Sequence, residues 1–101
     1  MSANSQSETY TSHALQKPKM FAVKMHNDDF TSQDFVVFVL KKVFHKNESD
    51  AEIIMLDIHN GEGAVVGVYT FDIALTKKLQ AEQMAAEKGF PLRLSLLEAD
   101  S

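Results

Sequence analysis

The chain has 101 residues, which suits one domain, and its 45% hydrophobic content marks it as globular rather than disordered. Fourteen acidic against ten basic residues give a formal net charge of -4, which argues against nucleic acid as a partner, since such binders usually carry a basic stripe. There is no cysteine, so disulfides and thiolate metal sites are excluded, and no apolar run approaches the ~18 residues that span a bilayer.

The first nineteen residues, MSANSQSETYTSHALQKPK, are rich in Ser, Thr, Asn and Gln and show no period of 2 or 3.6. They read as a flexible N-terminal extension (1–19) ahead of a core domain (20–101). They carry neither the apolar core of a signal peptide nor the arginines of a transit peptide, Arg93 being the only arginine in the chain. A cytoplasmic location is the expectation.

MFAVKMH then alternates, with Phe21, Val23 and Met25 facing one way and Ala22, Lys24 and His26 the other, which predicts a half-buried strand. After an acidic knot, TSQDFVVFVLKKVF predicts a helix of about 14 residues with Thr31 as N-cap and Val36, Val39, Leu40 and Val43 as its apolar stripe. SDAEIIMLDIHN predicts a second helix. Ser49 and Glu52 match a capping box there, and Gly61 stands where a left-handed C-cap is expected.

GAVVGVYT reads as a strand, in which Gly67 implies a close backbone approach or a bulge. Thr70 can cap a long third helix, FDIALTKKLQAEQMAAEKG, that stops at Gly89 before Pro91. LRLSLLEA alternates again and forms a last strand. The order β-α-α-β-α-β predicts a single small α+β domain, a three-stranded sheet with three helices packed on one face.

The acidic knot lies within MHNDDFTSQDF, Met25 to Phe35. Asn and Asp favour turns because their side chains bond the local backbone, and carboxylates favour the positive end of a following helix by ~0.3–1 kcal/mol. His26, Asp28, Asp29 and His59 are also suitable metal-ligand types, although they show no known ligand spacing. Nothing resembles a nucleophile with an oriented base. On the second helix Met55, Ile58 and His59 fall at i, i+3 and i+4, on one face. That stripe is either core packing or the apolar half of a pocket whose other half, the acidic knot, holds a cation.

The runs NDDFTSQDFVVFVL, IIMLDIHNGEGAVVGVYT and FPLRLSLLEA, in this order, resemble the ClpS adaptor family over about residues 19–99. The resemblance implies a protein that catalyses nothing and needs no cofactor or metal. It would bind N-degrons, proteins with a free N-terminal Leu, Phe, Tyr or Trp, and hand them to a ClpA-type AAA+ unfoldase and its peptidase. Carried onto this chain, Asn27, Asp28, Asp29 and His59 receive the α-amino group, with Asp28 mainly shaping the loop. Thr31, Gln33, Val36, Met55, Ile58 and Leu92 line the side-chain pocket. Asp72 and Lys77 match the unfoldase contact, the extension takes part in hand-over, and a monomer is expected. Gln33 departs from the Met common at its position, which leaves the side-chain preference open. Two other readings stand beside this one: a small metal-dependent enzyme using His26, Asp29 and His59, and a ribosome-associated interaction domain of similar α+β size.

Overall fold

The alternating segment becomes strand β1 (Met20–His26), with Val23 and Met25 fully buried. The computed structural model describes residues 18–99, and the extension expected over residues 1–19 lies outside them except for Pro18 and Lys19. Strand β1 is followed by α1 (Gln33–Lys42), α2 (Glu48–Asn60), β2 (Gly63–Thr70), α3 (Phe71–Glu87) and β3 (Leu94–Ala99). The sheet order is β2-β1-β3, and β1 pairs antiparallel with both neighbours. The α+β order and the three-stranded sheet with its three helices are those the periodicities predict.

The helices bury one sheet face. Val36, Val39, Leu40 and Val43 of the predicted α1 stripe all enter the core, together with Phe35, Phe44, Ala51, Ile58, Ala74, Ala81, Ala85, Leu92 and Leu94. Small residues on α3 (Ala74, Ala81 and Ala85, fully buried) let that helix lie close to the sheet. The opposite face is open: Val65, Val68 and Leu97 are each about half exposed around Ala22 and Lys24.

Strand β2 carries an irregularity. Val23 faces Gly67, but Lys24 faces Val65, so Val66 is an extra residue. This bulge turns Val66 into the core while Val65 stays half exposed. At Gly67 a Cβ would come within 2.6 Å of the Tyr69 ring, which would have to shift to admit it. The bulge read from that glycine is found beside it, at Val66, whereas the close approach at Gly67 is made by the Tyr69 side chain rather than by backbone.

The ends of the helices differ in detail from expectation. Ser32, not Thr31, caps α1, its Oγ accepting from the Phe35 N–H at 3.1 Å. Asn47, not Ser49, caps α2, accepting from the Asp50 N–H at 2.8 Å, so the cap lies two residues before the expected one. Gly61 is extended (φ -133) rather than left-handed. Thr70 occupies the cap position of α3 without a side-chain bond. Helix α3 does end as predicted. Gly89 is left-handed (φ 78), its N–H bonds Ala86 O at 3.0 Å, and the Phe90 N–H bonds Ala85 O at 2.9 Å, the Schellman arrangement. After α1 a non-glycine also turns left-handed: His45 has φ 58, and the wider loop it makes is closed by the Lys46 N–H bonding Leu40 O at 3.0 Å.

Two side chains tie the helices to their surroundings. Lys77 of α3 donates to Val43 O at 2.7 Å, satisfying a carbonyl at the end of α1. Glu82 accepts from the Leu94 N–H at 2.9 Å and pairs with Lys78 at 3.0 Å, so it fills an edge position of β3. Among the described residues no helix is long and apolar enough to cross a membrane.

Gly63 sets where β2 begins. It pairs with His26, has φ 138, and a Cβ would lie 2.6 Å from Met25 O. Gly63→Ala therefore faces both a left-handed conformation and a backbone clash. A loss of about 1–3 kcal/mol in unfolding free energy is expected, measured by urea denaturation of the two proteins. An unchanged midpoint would show that the strand end relaxes freely.

Candidate functional site

Strand β1 ends at His26, and the chain must then turn to enter α1. The turn is built by one carboxylate. Asp28 Oδ1 accepts from the Phe30 N–H at 2.8 Å and from the Thr31 N–H at 2.7 Å, while Oδ2 accepts from the Thr31 hydroxyl at 2.8 Å. Partial burial alone would raise the Asp28 pKa, but the hydrogen bonds from Thr31 and Phe30 outweigh it and hold the carboxyl below its ordinary value. Thr31 is thus occupied by Asp28, and the cap role passes to Ser32.

Asn27 joins this turn to the end of α2. Its side-chain N–H groups donate to His59 O at 3.4 Å and Gly61 O at 3.3 Å, and its backbone N–H meets Glu62 O at 3.4 Å. The amide nitrogen is spent on these carbonyls, which leaves the amide oxygen as an acceptor. The bridge also places His59, the exposed last-turn residue of α2, beside the loop.

The result is one cleft of about 410 Å³ lined by Asn27, Asp28, Asp29, Phe30, Thr31, Ser32, Gln33 and His59. Residues from the loop, from the start of α1 and from the end of α2 meet in it, although Asn27 and His59 are 32 positions apart in sequence. No lysine or arginine lines it, and two carboxylates do. The C-terminal end of α2 adds partial negative charge, which favours a cation. The positive end of α1 is offset by Asp34 in its first turn.

All four candidate amino-group residues, Asn27, Asp28, Asp29 and His59, line this cleft, as do Thr31 and Gln33. Val36, Met55, Ile58 and Leu92 do not line its open part. Val36, Ile58 and Leu92 are buried members of the core cluster, and Met55 packs partly buried against it. Val36 stands one helical turn beyond Gln33 on α1, and Met55 one turn before His59 on α2. Phe30 and Ser32 also line the cleft and were not among the candidates. The signal for Phe30 was an aromatic residue set inside a polar turn, outside any helical or strand period.

His26 faces elsewhere. Its Nε2 and Ser95 Oγ are hydrogen-bonded at 2.6 Å, and it borders a separate cleft of about 120 Å³ with Asn27, Asp28, Pro91 and Arg93. Among the described residues no three His, Asp or Glu side chains converge to hold a metal ion. The metal-dependent reading, which needs His26 together with Asp29 and His59, therefore finds no assembled site.

The second candidate surface divides. Asp72 is exposed in the first turn of α3. Lys77 is not a free surface cation. Its ammonium is bound to Val43 O and lies 5.4 Å from the Tyr69 ring centroid and 6.0 Å from that of Phe44.

A family model described as ATP-dependent Clp protease adaptor protein ClpS matches residues 16–95. A relative from Myxococcus xanthus, named ATP-dependent Clp protease adapter protein ClpS, is 48% identical over 89 residues, 88% of this chain and 83% of its own. A relative of the same name from Acetivibrio thermocellus is 55% identical over 78 residues, 77% of this chain and 79% of its own. Among solved structures, Agrobacterium tumefaciens ClpS2 bound to L-phenylalaninamide superposes with a TM-score of 0.79 at 38% identity, covering 82% of this chain and all of that one (100%).

The Asp28 turn has a testable pH signature. Its carboxyl pKa is lower folded than unfolded, so its contribution to stability is whole above the unfolded value, roughly 3.9, and is lost as pH falls through the lower folded value. Asp28→Ala should cost about 1 kcal/mol at neutral pH. The gap between wild type and variant, read from denaturant curves, should stay constant down to roughly pH 5 and close below roughly pH 3.9. A gap independent of pH would assign the loss to something other than the ionised carboxylate.

Proposed function

The chain belongs to the ClpS family of Clp protease adaptors, and from that premise we propose that it binds proteins by their free N-terminal residue and delivers them to a ClpA-type AAA+ unfoldase in the cytoplasm. The observation that carries the reading is the convergence of Asn27, Asp29 and His59 on one acidic cleft whose helical walls continue, within one turn, into the apolar residues Val36, Met55 and Ile58. The ligand of the Agrobacterium relative, L-phenylalaninamide, supports it chemically. That molecule has an α-ammonium, an aromatic side chain, and an amide where a peptide bond would follow.

An α-ammonium has three N–H donors and one positive charge. The amide oxygen of Asn27, the carboxylate of Asp29 and the imidazole of His59 are three acceptors of suitable type, and Asp29 supplies the countercharge. Asp28 takes no direct part. Its oxygens are spent on Phe30 and Thr31, so its role is to hold Asp29 in place. Thr31, Gln33, Val36, Met55, Ile58 and Leu92 receive the first side chain, a bulky apolar one such as Leu, Phe, Tyr or Trp. Burying such a side chain adds roughly 1.5–3 kcal/mol. Seating it requires a small movement of the walls, because Val36, Ile58 and Leu92 are closed off by the core.

No bond is made or broken in this role, and the protein works as a monomeric adaptor without catalysis. The unfoldase contact involves the exposed start of α3, where Asp72 lies between the half-exposed Phe71 and Ile73. Lys77 supports that surface from behind, through its bond to Val43, rather than touching the partner.

A peptide beginning with free Leu or Phe should bind, and its N-acetylated twin should not, because acetylation removes the charge and leaves acceptors unpaired. Asp29→Ala should weaken the free peptide by more than ~1.5 kcal/mol, the worth of one charge-assisted bond, with an unchanged circular dichroism spectrum. Calorimetric titration reads both. Equal affinity for the two peptides would sink the amino-group model.

Gln33 opens α1 and faces the cleft. Its amide must stay solvated against a purely apolar ligand but can bond the hydroxyl of a tyrosine. Gln33→Met should shift preference toward Phe-start over Tyr-start peptides by about 0.5–1.5 kcal/mol. These ligands differ by one hydroxyl, so a Phe/Tyr ratio that does not move would place the Gln33 amide outside the ligand's reach.

A further inference from the structure

Phe30 is 77% exposed, more than any other large apolar residue among those described. The other six of the seven phenylalanines each stand in a ring pair: Phe21 with Phe71, Phe35 with Phe38 and Phe90, and Phe44 with Tyr69. Among the described residues Phe30 has no aromatic partner. It is also not on a slack loop. Its own N–H is bonded to Asp28, the next residue is bonded twice to the same carboxylate, and Ser32 then caps α1. The backbone on both sides of the ring is therefore held, and the ring is projected into water from a fixed base. Leaving so large an apolar surface in water is unfavourable, and nothing in the core or the loop is stabilised by it.

The ring belongs to the rim of the cleft that holds Asn27, Asp29, Gln33 and His59. A ring standing so far clear of the surface flanks a ligand rather than underlying it. If the first residue is anchored by its ammonium, with its side chain directed toward Val36, Met55 and Ile58, the second side chain turns the other way, because side chains alternate along an extended chain. That puts the second side chain level with the rim. We infer that Phe30 is a specificity-determining residue that packs against the second residue of the bound N-terminus and selects an apolar or flat side chain there over glycine. The inference rests on the amino-group reading given above.

The test uses the full-length protein and four peptides starting with Phe. One pair carries Leu or Gly at position 2, and the other carries Leu or Gly at position 3 with position 2 constant. For wild type, Leu at position 2 should bind about fivefold more tightly than Gly, a contact that buries part of two apolar side chains. Position 3 should be nearly indifferent. In Phe30→Ala the position-2 ratio should fall to near one, whereas Phe30→Tyr should keep it, because the ring face is retained. Both variants should fold normally, since the Asp28 bonds use only the backbone of residue 30. A position-2 ratio that survives in Phe30→Ala overturns the inference, as does a dependence found at position 3 instead.

N-acetylated versions of the peptides separate the two readings. If they bind as well as the free ones, the amino-group reading fails while the ratio still reports on Phe30. A ratio that vanishes with the ring keeps Phe30 as a peptide contact, and one that persists removes it.

Discussion

One carboxylate holds the working end of this molecule together. The central strand delivers the chain to a point where two backbone N–H groups and a hydroxyl, those of Phe30 and Thr31, need acceptors within a three-residue turn. Asp28 supplies all of them. Once that turn is closed, the position of Asp29 beside it, of Phe30 above it and of Ser32 at the head of α1 all follow from chain geometry. Asn27 then extends the constraint across the fold by bonding the last carbonyls of α2, which brings His59 to the same cleft. Two neighbouring residues of similar chemistry therefore have opposite fates. Asp28 is bound into the loop, and Asp29 lines the cleft.

That division explains why the cleft can be both acidic and stable. A pair of unpaired carboxylates in one turn would repel each other and compete for the same donors. With three hydrogen bonds accepted by Asp28, its ionised form is favoured by the loop itself. The cleft is lined by the loop, the start of α1 and the end of α2 rather than by the sheet. Gln33 and His59 line it, and Val36, Met55 and Ile58, within one turn of them on the same helices, pack in or against the core. The bond from Lys77 to Val43 ties α3 to the other end of α1, away from the cleft.

Several local features could not be decided by nearest neighbours in sequence. Thr31 and Ser32 are adjacent hydroxyl residues ahead of the same helix, and either could cap it. Asp28, three positions before Thr31, claims that residue and so passes the cap to Ser32. Ser49 and Glu52 match a capping box, yet Asn47 captures the helix start two residues earlier, after the left-handed turn at His45, which carries no glycine to announce it. Gly61 looks like a helix terminator of the left-handed kind but runs extended, because its carbonyl accepts from Asn27, a residue 34 positions away. The side chain expected to meet a partner, Lys77, is drawn back by a carbonyl on a different helix.

Sequence by itself determined the elements, their order and the chemical content of the site. Period-2 and period-3.6 apolar patterns are local properties, and they placed Val23, Met25, Val36, Val39, Leu40 and Val43 inside before any contact was known. The stop at Gly89 was equally legible, since a left-handed residue followed by Pro91 leaves a helix no continuation. Asn27, Asp29 and His59 stand in the motif that resembles the ClpS family, and the structure brings them to one cleft. Tertiary structure alone decided which of two adjacent aspartates is free, which polar residues share a cleft, that Val66 bulges inward, and that Phe30 stands alone at the rim. These depend on donors and acceptors brought together from distant parts of the chain, and a hydrogen bond between residues 27 and 59 leaves no periodicity for a sequence to display.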